Sequence, residues 1–390
     1  MQLTILEKRV TPRAAMPEKK QKILYIYAKS GGGHLAAAQA IADSIDVAKP
    51  KAFEHVFADV FADAPHFVQR LMNSGYVMLV YNLRWIWNII YVVYSVPVIA
   101  RFFIFFYKLF SKAQFQRTIA REAPDIIVLT FFVTEAVEQA LAEIGWKGKL
   151  VTVVTDLYTP PAIWFLSKNA QYVVASNRVR DQAIHLGVAA DHITLFEGLT
   201  HQKFEHIPDD TEKKVVAKKY AIDISKPMIL LTGGGLGLKQ TLPVIKQLLI
   251  QKSQVQLIVI CGRNIRLKQK VDKLLEKHLG FHNIRAFGYV DDMHGLIALT
   301  NLVITKAGPA TRMEVFLQHK NMILTDYIWG QELGNYEFIV KNNFGLFQEK
   351  PRDIVESIIA VAQGKSLELK KPQVKNEIRE LGVWLANRSL

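Results

Sequence analysis

Strand-like apolar runs alternate with helical segments along almost the whole chain, and the pattern stops and restarts once. Residues 23–28, 126–130, 150–155 and 172–175 read as strands, while residues 35–45, 135–144 and 178–186 carry apolar side chains at helical spacing. The grammar returns beyond the polar, charged segment 206–219, with strands over 228–232, 256–261 and 302–305 and helices over 242–250 and 266–278. Such alternation builds parallel sheets covered by helices on both faces. The expectation is an α/β chain of two doubly wound, Rossmann-like domains facing a cleft, with the boundary near residues 200–215. A chain of 390 residues, 50% of them apolar, can fill two cores.

Each half places glycines where a strand hands over to a helix. Gly31-Gly-Gly-His34 lets the backbone, Gly33 included, come close to a ligand, and puts His34 at the positive end of the following helix. That position disfavours an imidazolium, and a neutral imidazole can serve as a general base. His34 could instead steady a phosphate, or simply cap a turn. Gly31-x-Gly33-x-x-Ala36 with Asp59 downstream also fits a dinucleotide fingerprint, a weak match that leaves the second half unexplained. The second turn holds Gly233, Gly234, Gly235 and Gly237. The strand after it ends in Gly262-Arg263-Asn264 without an acidic residue, which argues against NAD, and neither loop carries the Gly-Lys-Ser or Gly-Lys-Thr of a P-loop.

The densest chemistry lies in Thr305-Lys-Ala-Gly-Pro-Ala-Thr-Arg-Met-Glu314 and Ile323-Leu-Thr-Asp-Tyr-Ile-Trp-Gly-Gln-Glu-Leu-Gly-Asn335. Gly308 and Pro309 turn the chain into a helix starting near Thr311, whose N-terminal amides can hold an anion without a metal. Glu314 can reach a ribose diol, and Gln331 and Glu332 offer an amide and a carboxylate to hexose hydroxyls. Together they read as a nucleotide-sugar site.

These motifs, with Ile23-Leu-Tyr-Ile-Tyr-Ala-Lys-Ser-Gly-Gly-Gly-His34, Val154-Thr-Asp-Leu157, Leu231-Thr-Gly-Gly-Gly-Leu-Gly237 and Gly288-Tyr-Val-Asp-Asp-Met293, resemble the monogalactosyldiacylglycerol synthase and processive diacylglycerol glucosyltransferase family. Those enzymes are relatives of the bacterial lipid II N-acetylglucosaminyltransferase. The resemblance covers nearly all of the chain beyond residue 22 and implies the GT-B form of the two-domain fold. It implies that Gly233 to Gly237 border the donor cleft, that Arg263 or Asn264 approaches the nucleotide, and that the backbone at Tyr289 and Val290 holds uracil. Lys306, Gly308, Pro309 and Thr311 would then surround the diphosphate, Glu314 the ribose, and Gln331, Glu332 and Asn335 the hexose. The implied reaction is inverting transfer of a hexose from UDP-glucose or UDP-galactose to the hydroxyl of diacylglycerol, with His34 as base, no cofactor and no obligatory metal. Asp291 and Asp292 resemble a metal pair but fall in the base-positioning loop. Alternatives are a lipid-linked N-acetylglucosaminyltransferase, a UDP-sugar epimerase and a UDP-sugar-binding membrane module without turnover. The run Tyr158-Thr-Pro-Pro-Ala-Ile-Trp164-Phe-Leu166 departs from the usual family pattern, as do Ala310 and Trp329, which bears on acceptor and donor preference.

The expected organisation is a basic leader over 1–22 without a secretory signal, an acceptor and membrane-binding domain over 23–205, a donor domain over 206–374, and a last helix in 375–390 that packs back on the first domain. Residues 76–110 break the alternation, being dense in aromatic and branched side chains with only Arg84, Arg101 and Lys108 as charges. A charge-free run of sixteen residues is short of the ~20 that span a bilayer. Trp85 and Trp87 beside Arg84 and Arg101 suit the headgroup level instead, with a core helix pair as the alternative. Asp156 and Trp164 are placed on the acceptor side. The net charge of +14 suits a polyanionic partner such as nucleic acid, an anionic bilayer surface or a nucleotide, and charge alone does not choose among them. With the resemblance, the expected partners are a UDP-sugar, a lipid acceptor and an anionic membrane surface, and no nucleic acid. The single cysteine, Cys261, permits no internal disulfide and fits the cytosolic side of a membrane.

Overall fold

The structure, a computed structural model, describes residues 20–29, 32–62, 64–70, 72, 75–235, 237–278 and 283–388. Most of the basic leader, residues 1–19, and Gly31 of the first glycine turn lie outside the described residues. Strands β1 (Gln21–Tyr27), β2 (Phe53–Asp59), β3 (Ile126–Leu129), β4 (Lys149–Val153), β5 (Gln171–Val174) and β6 (Ile193–Leu195) form a parallel sheet in the order β2-β1-β3-β4-β5-β6. Strands β7 (Met228–Thr232), β8 (Gln256–Ile260), β9 (Ile284–Phe287), β10 (Leu302–Lys306), β11 (Asn321–Asp326) and β12 (Leu346–Phe347) form a second, ordered β12-β11-β10-β7-β8-β9. The central strands β3, β7 and β8 are buried at every position, as strands covered on both faces must be. This is the GT-B arrangement of two doubly wound domains.

Five strands, β2, β6, β9, β11 and β12, escaped the sequence reading, and all but β11 lie at the edge of a sheet. β2 lies at an edge and buries only its two ends, and β12 has two residues, so neither shows a continuous apolar run. The segment 206–219, read as a polar boundary, is largely the helix Asp210–Tyr220. The Asp209 side chain accepts from the Glu212 amide while Glu212 accepts from the Asp209 amide, a reciprocal cap that starts a helix in a sequence with few apolar residues.

Residues 76–122 form the helices Tyr76–Tyr81, Arg84–Tyr94 and Pro97–Glu122. Pro97 sits in the first turn, where its missing N–H costs nothing, and the axis bends by 101° between the last two helices. Among the described residues no single helix is long and apolar enough to cross a membrane.

The final helix, Ile378–Ala386, crosses to the N-terminal domain and packs on Gly33–Ala48. Ile378, Leu381 and Leu385 complete the core formed by Ile41, Ile45 and strands β1 and β3. The helices touch at Gly382, where a Cβ would lie 2.6 Å from the Ser44 backbone. Since Leu381 is fully buried, Leu381→Ala is expected to cost about 2–5 kcal/mol of stability. Denaturant unfolding followed on the N-terminal domain checks this, and a loss under about 1 kcal/mol would show that the helix is not part of that core.

Candidate active site

In a doubly wound sheet a ligand lies at the carboxyl ends of the strands where the order reverses. In the first sheet that gap opens between β1 and β3, and in the second between β7 and β10. The first gap holds His34, and the second holds the turns 233–237 and 306–309. The two gaps belong to one cleft, because the loops around them bond across it. Gln331 Nε2 donates to Asp156 Oδ1 at 3.1 Å, Thr159 Oγ1 donates to the Gly330 carbonyl at 2.7 Å, and Arg312 Nη1 donates to the Tyr158 hydroxyl at 3.2 Å. Gly334 has no side chain because a Cβ there would meet Tyr158 at 2.4 Å.

His34 opens the helix Gly33–Ala48, which has a left-handed Gly32 before it (φ 82°) and no acidic residue in its first turn. Its Nδ1 lies 2.6 Å from the Thr130 carbonyl at the end of β3 and 3.1 Å from Thr155 Oγ1 at the end of β4. A carbonyl only accepts, so Nδ1 carries the proton and Nε2 keeps a lone pair. Burial pulls the imidazole down to about 4, although the bond to Thr130 works against this. The ring is therefore a neutral acceptor, held edge-on to Phe131 at 5.2 Å.

On the opposite wall, the helix Pro309–Leu317 begins at Gly308 with no side chain capping its first amides. Pro309 has no N–H, so the amides of Ala310 and Thr311 are the ones offered to an anion. Lys306 pairs with Glu332. Burial alone would lower the lysine, and Glu332, with Tyr81 and Asp326 adding to it, raises it again, so the ammonium is retained. Glu314 stands one turn into the same helix, and burial shifts its carboxyl up to about 7, with Lys203 pulling back. Arg263 lies over the exposed Tyr289 ring at 5.2 Å, a flat cationic edge at the end of β8, with Val290 packed on the core behind it. Among the described residues no group of three or more His, Cys, Asp or Glu converges as metal ligands would.

Several expectations need correction. The Asn264 side-chain oxygen caps the helix Ile265–Glu276, accepting from Leu267 N at 2.9 Å, a structural role that the sequence reading did not give it. Gly233 and Gly262 let the turn pack closely: a Cβ on Gly233 would lie 2.2 Å from Gly237, and one on Gly262 would lie 2.4 Å from the Gly234 carbonyl, while one on Gly237 would meet the Leu267 side chain at 2.4 Å. Gly32, Gly33 and Gly234 have open space beside them. Of the three residues expected on the hexose, only Gln331 is partly exposed. Glu332 spends its oxygens on Lys306 and the Ile328 amide, and Asn335 donates to the Ala307 carbonyl at 2.9 Å, so both hold the phosphate turn from below. Trp164 is fully buried in the N-terminal core and donates to Asp156 Oδ2, so it faces neither lipid nor open cleft. Burial raises Asp156 to about 6, with bonds from Gln331 and Trp164 opposing. Arg84 turns inward to pair with Asp326 of the donor domain, and Trp87 stands edge-on to Tyr76 at 5.3 Å, whereas Trp85 (64% exposed) and Arg101 face outward.

Sequence reasoning missed Thr130 and Thr155, which orient His34, and Arg312, buried against Tyr158, Phe316 and Phe338. Their partners are distant in sequence, and no local pattern announces them.

Two doubly wound domains whose switch points share a cleft define a GT-B protein with a nucleotide-sugar type of site. The family model for monogalactosyldiacylglycerol (MGDG) synthase matches residues 34–198, and that for the glycosyltransferase family 28 C-terminal domain matches residues 228–329. A chloroplastic monogalactosyldiacylglycerol synthase of Spinacia oleracea is 27% identical over 360 residues, 90% of this chain and 68% of the relative. A processive diacylglycerol beta-glucosyltransferase of Staphylococcus saprophyticus is 25% identical over 347 residues, 89% and 86% of the two chains. Among solved structures, a UDP-GlcNAc 2-epimerase from Neisseria meningitidis bound to UDP-GlcNAc superposes with a TM-score of 0.62 at 11% identity, covering 94% of this chain and 100% of that one. MurG from Acinetobacter baumannii gives 0.50 at 14% identity, covering 95% and 94%. The chain belongs to the monogalactosyldiacylglycerol synthase and processive diacylglycerol glucosyltransferase family.

Glu314 gives a direct test of the site's electrostatics. A carboxyl raised from 4.5 to about 7 in the folded state stabilises the fold below its unfolded value, and that contribution is lost as the pH rises through 7. Glu314→Gln is therefore expected to gain stability over the unmodified protein as the pH goes from about 5 to about 8. A pH-independent difference in denaturation midpoint would contradict the assigned environment.

Proposed function

We propose that this protein transfers a hexose from a UDP-sugar to the hydroxyl of diacylglycerol, with inversion, while docked peripherally on the cytosolic face of an anionic membrane. The observation that carries the reading is the neutral His34 imidazole, oriented by Thr130 and facing an uncapped helix N-terminus across one cleft. Nε2 takes the acceptor proton as the hydroxyl oxygen attacks the anomeric carbon. The bond from that carbon to the diphosphate breaks, and the leaving charge is met by the amides of Ala310 and Thr311 and by Lys306. Glu314 takes the ribose, Gln331 the hexose, and Arg263 with Tyr289 and Val290 borders the base. No metal has a role in this scheme, because a lysine and a helix terminus already stabilise the leaving group.

Membrane docking is supported by an apolar surface on the bent helix pair. Trp85, Ile89, Val92, Val98, Phe102 and Phe105 are each at least half exposed, a concentration that a soluble surface rarely carries. The bend keeps both helices at the surface plane, and Arg101 at their edge suits an anionic leaflet.

With diacylglycerol presented in vesicles, His34→Ala is expected to lower kcat by about 10²–10⁴-fold with little change in donor KM. The acid limb of the unmodified enzyme's kcat/KM profile is expected near pH 4 rather than 6.5, because the base must be deprotonated and burial lowers its value. Transfer by His34→Ala at the unmodified rate would remove His34 from the reaction.

A further inference from the structure

The helix Arg84–Tyr94 has two working faces. Its outer stripe, Trp85, Ile89 and Val92, lies 64%, 55% and 50% exposed at a spacing of four and three residues. Its inner stripe, Arg84 and Tyr91, seven residues apart and so on one face, reaches the donor domain. Arg84 grips Asp326 with both terminal nitrogens, one of them 3.0 Å from Oδ1. Asp326 ends β11, and its carbonyl accepts from the Ala307 amide at 2.9 Å, in the turn that precedes Gly308. Tyr91 lies flat beneath Gly330, where a Cβ would sit 2.4 Å from the ring, and stands edge-on to Trp329 at 5.8 Å. Its hydroxyl donates to the Thr159 carbonyl at 2.8 Å, and Thr159 in turn donates to Gly330. From the preceding helix, Tyr76 donates to Gln331 Oε1 at 3.3 Å. The donor-domain loop 326–331 is thus held at both ends by the element whose other face is bare.

We propose that Arg84 and Tyr91 are positioning residues for the donor hexose, and that seating the outer stripe in a bilayer fixes the loop 326–331 and tightens UDP-hexose binding. The inference rests on the transferase reading above. A bidentate guanidinium–carboxylate pair fixes orientation as well as distance, and the glycine–tyrosine contact leaves the loop one seat. A helix that is free to rock in solution transmits that motion to Asp326 and Gly330. Held by lipid along its adjoining exposed stripe, it does not. In that reading the base borders Arg263, Tyr289 and Val290, beyond the ends of β8 and β9, where Arg84 and Tyr91 make no contact, and the diphosphate turn is reached only through the Asp326 carbonyl, so the larger effect falls on the hexose.

The test measures binding of UDP-glucose, UDP-galactose and UDP to the full chain, with and without vesicles containing anionic phospholipid but no diacylglycerol, so that no turnover occurs. Cosedimentation with the same vesicles is measured in parallel. For the unmodified protein, vesicles are expected to tighten the bound UDP-hexose by roughly five- to tenfold and to leave UDP nearly unchanged. Arg84→Gln is expected to sediment normally and lose the tightening. Tyr91→Phe, which removes one hydroxyl and keeps the ring, is expected to lose part of it and covers the case in which Arg84→Gln fails to fold. Equal tightening in Arg84→Gln and the unmodified protein, tightening of UDP as strong as that of UDP-hexose, or loss of vesicle binding by Arg84→Gln would each overturn the coupling alone. An unmodified protein that binds neither UDP nor UDP-hexose would overturn the donor-site reading together with it.

Discussion

Everything in this molecule hangs on the reversal of strand order at one gap in each parallel sheet. A strand buried on both faces offers nothing to a ligand, and only where the chain leaves on opposite sides of the sheet does a crevice open above the strand ends. β1 and β3 open one such crevice and β7 and β10 the other. Short bonds between the loops 156–159 and 330–334 turn the two crevices into walls of a single cleft. The returning helix Ile378–Ala386 ties the end of the chain into the first domain, so the domains are joined by two crossings of the chain.

Within the cleft, burial does the electrostatic tuning. His34 is pushed down and Asp156 and Glu314 are pushed up, so each moves toward its neutral form. Lys306 keeps its charge because Glu332 is beside it. The result is a site with a neutral acceptor on the N-terminal wall, and on the other the Lys306 ammonium, the Arg263 guanidinium and a helix terminus. That division suits a reaction in which a proton leaves on one side and a diphosphate on the other.

Both glycine turns, the phosphate helix and the two-domain alternation were legible in the sequence, because each follows from local spacing: an apolar run of strand length, then glycine, then helical periodicity. The exposed apolar helices were legible as composition. What the sequence could not carry is which side of a helix meets which partner. Arg84 reads like an interfacial cation from its neighbours Trp85 and Trp87, yet it points at Asp326, 242 positions away. Trp164 sits in an aromatic stretch suggestive of lipid and is enclosed by β4 and β5. Asn264 and Asn335 look like ligand contacts by residue type and are used to cap a helix and to brace a turn. Polar side chains near a site divide between ligand and scaffold according to the backbone groups left unpaired around them, which only the fold reveals.

The most direct measurement is to incubate the protein with diacylglycerol in anionic vesicles and labelled UDP-glucose or UDP-galactose, and then to resolve the lipids. Label in a glycolipid, from one of the two donors and absent without diacylglycerol, is the expected result. Release of UDP or conversion of the donor at the same rate with and without diacylglycerol, and no labelled lipid, would contradict a cleft built to pass a hexose from a nucleotide to a lipid hydroxyl.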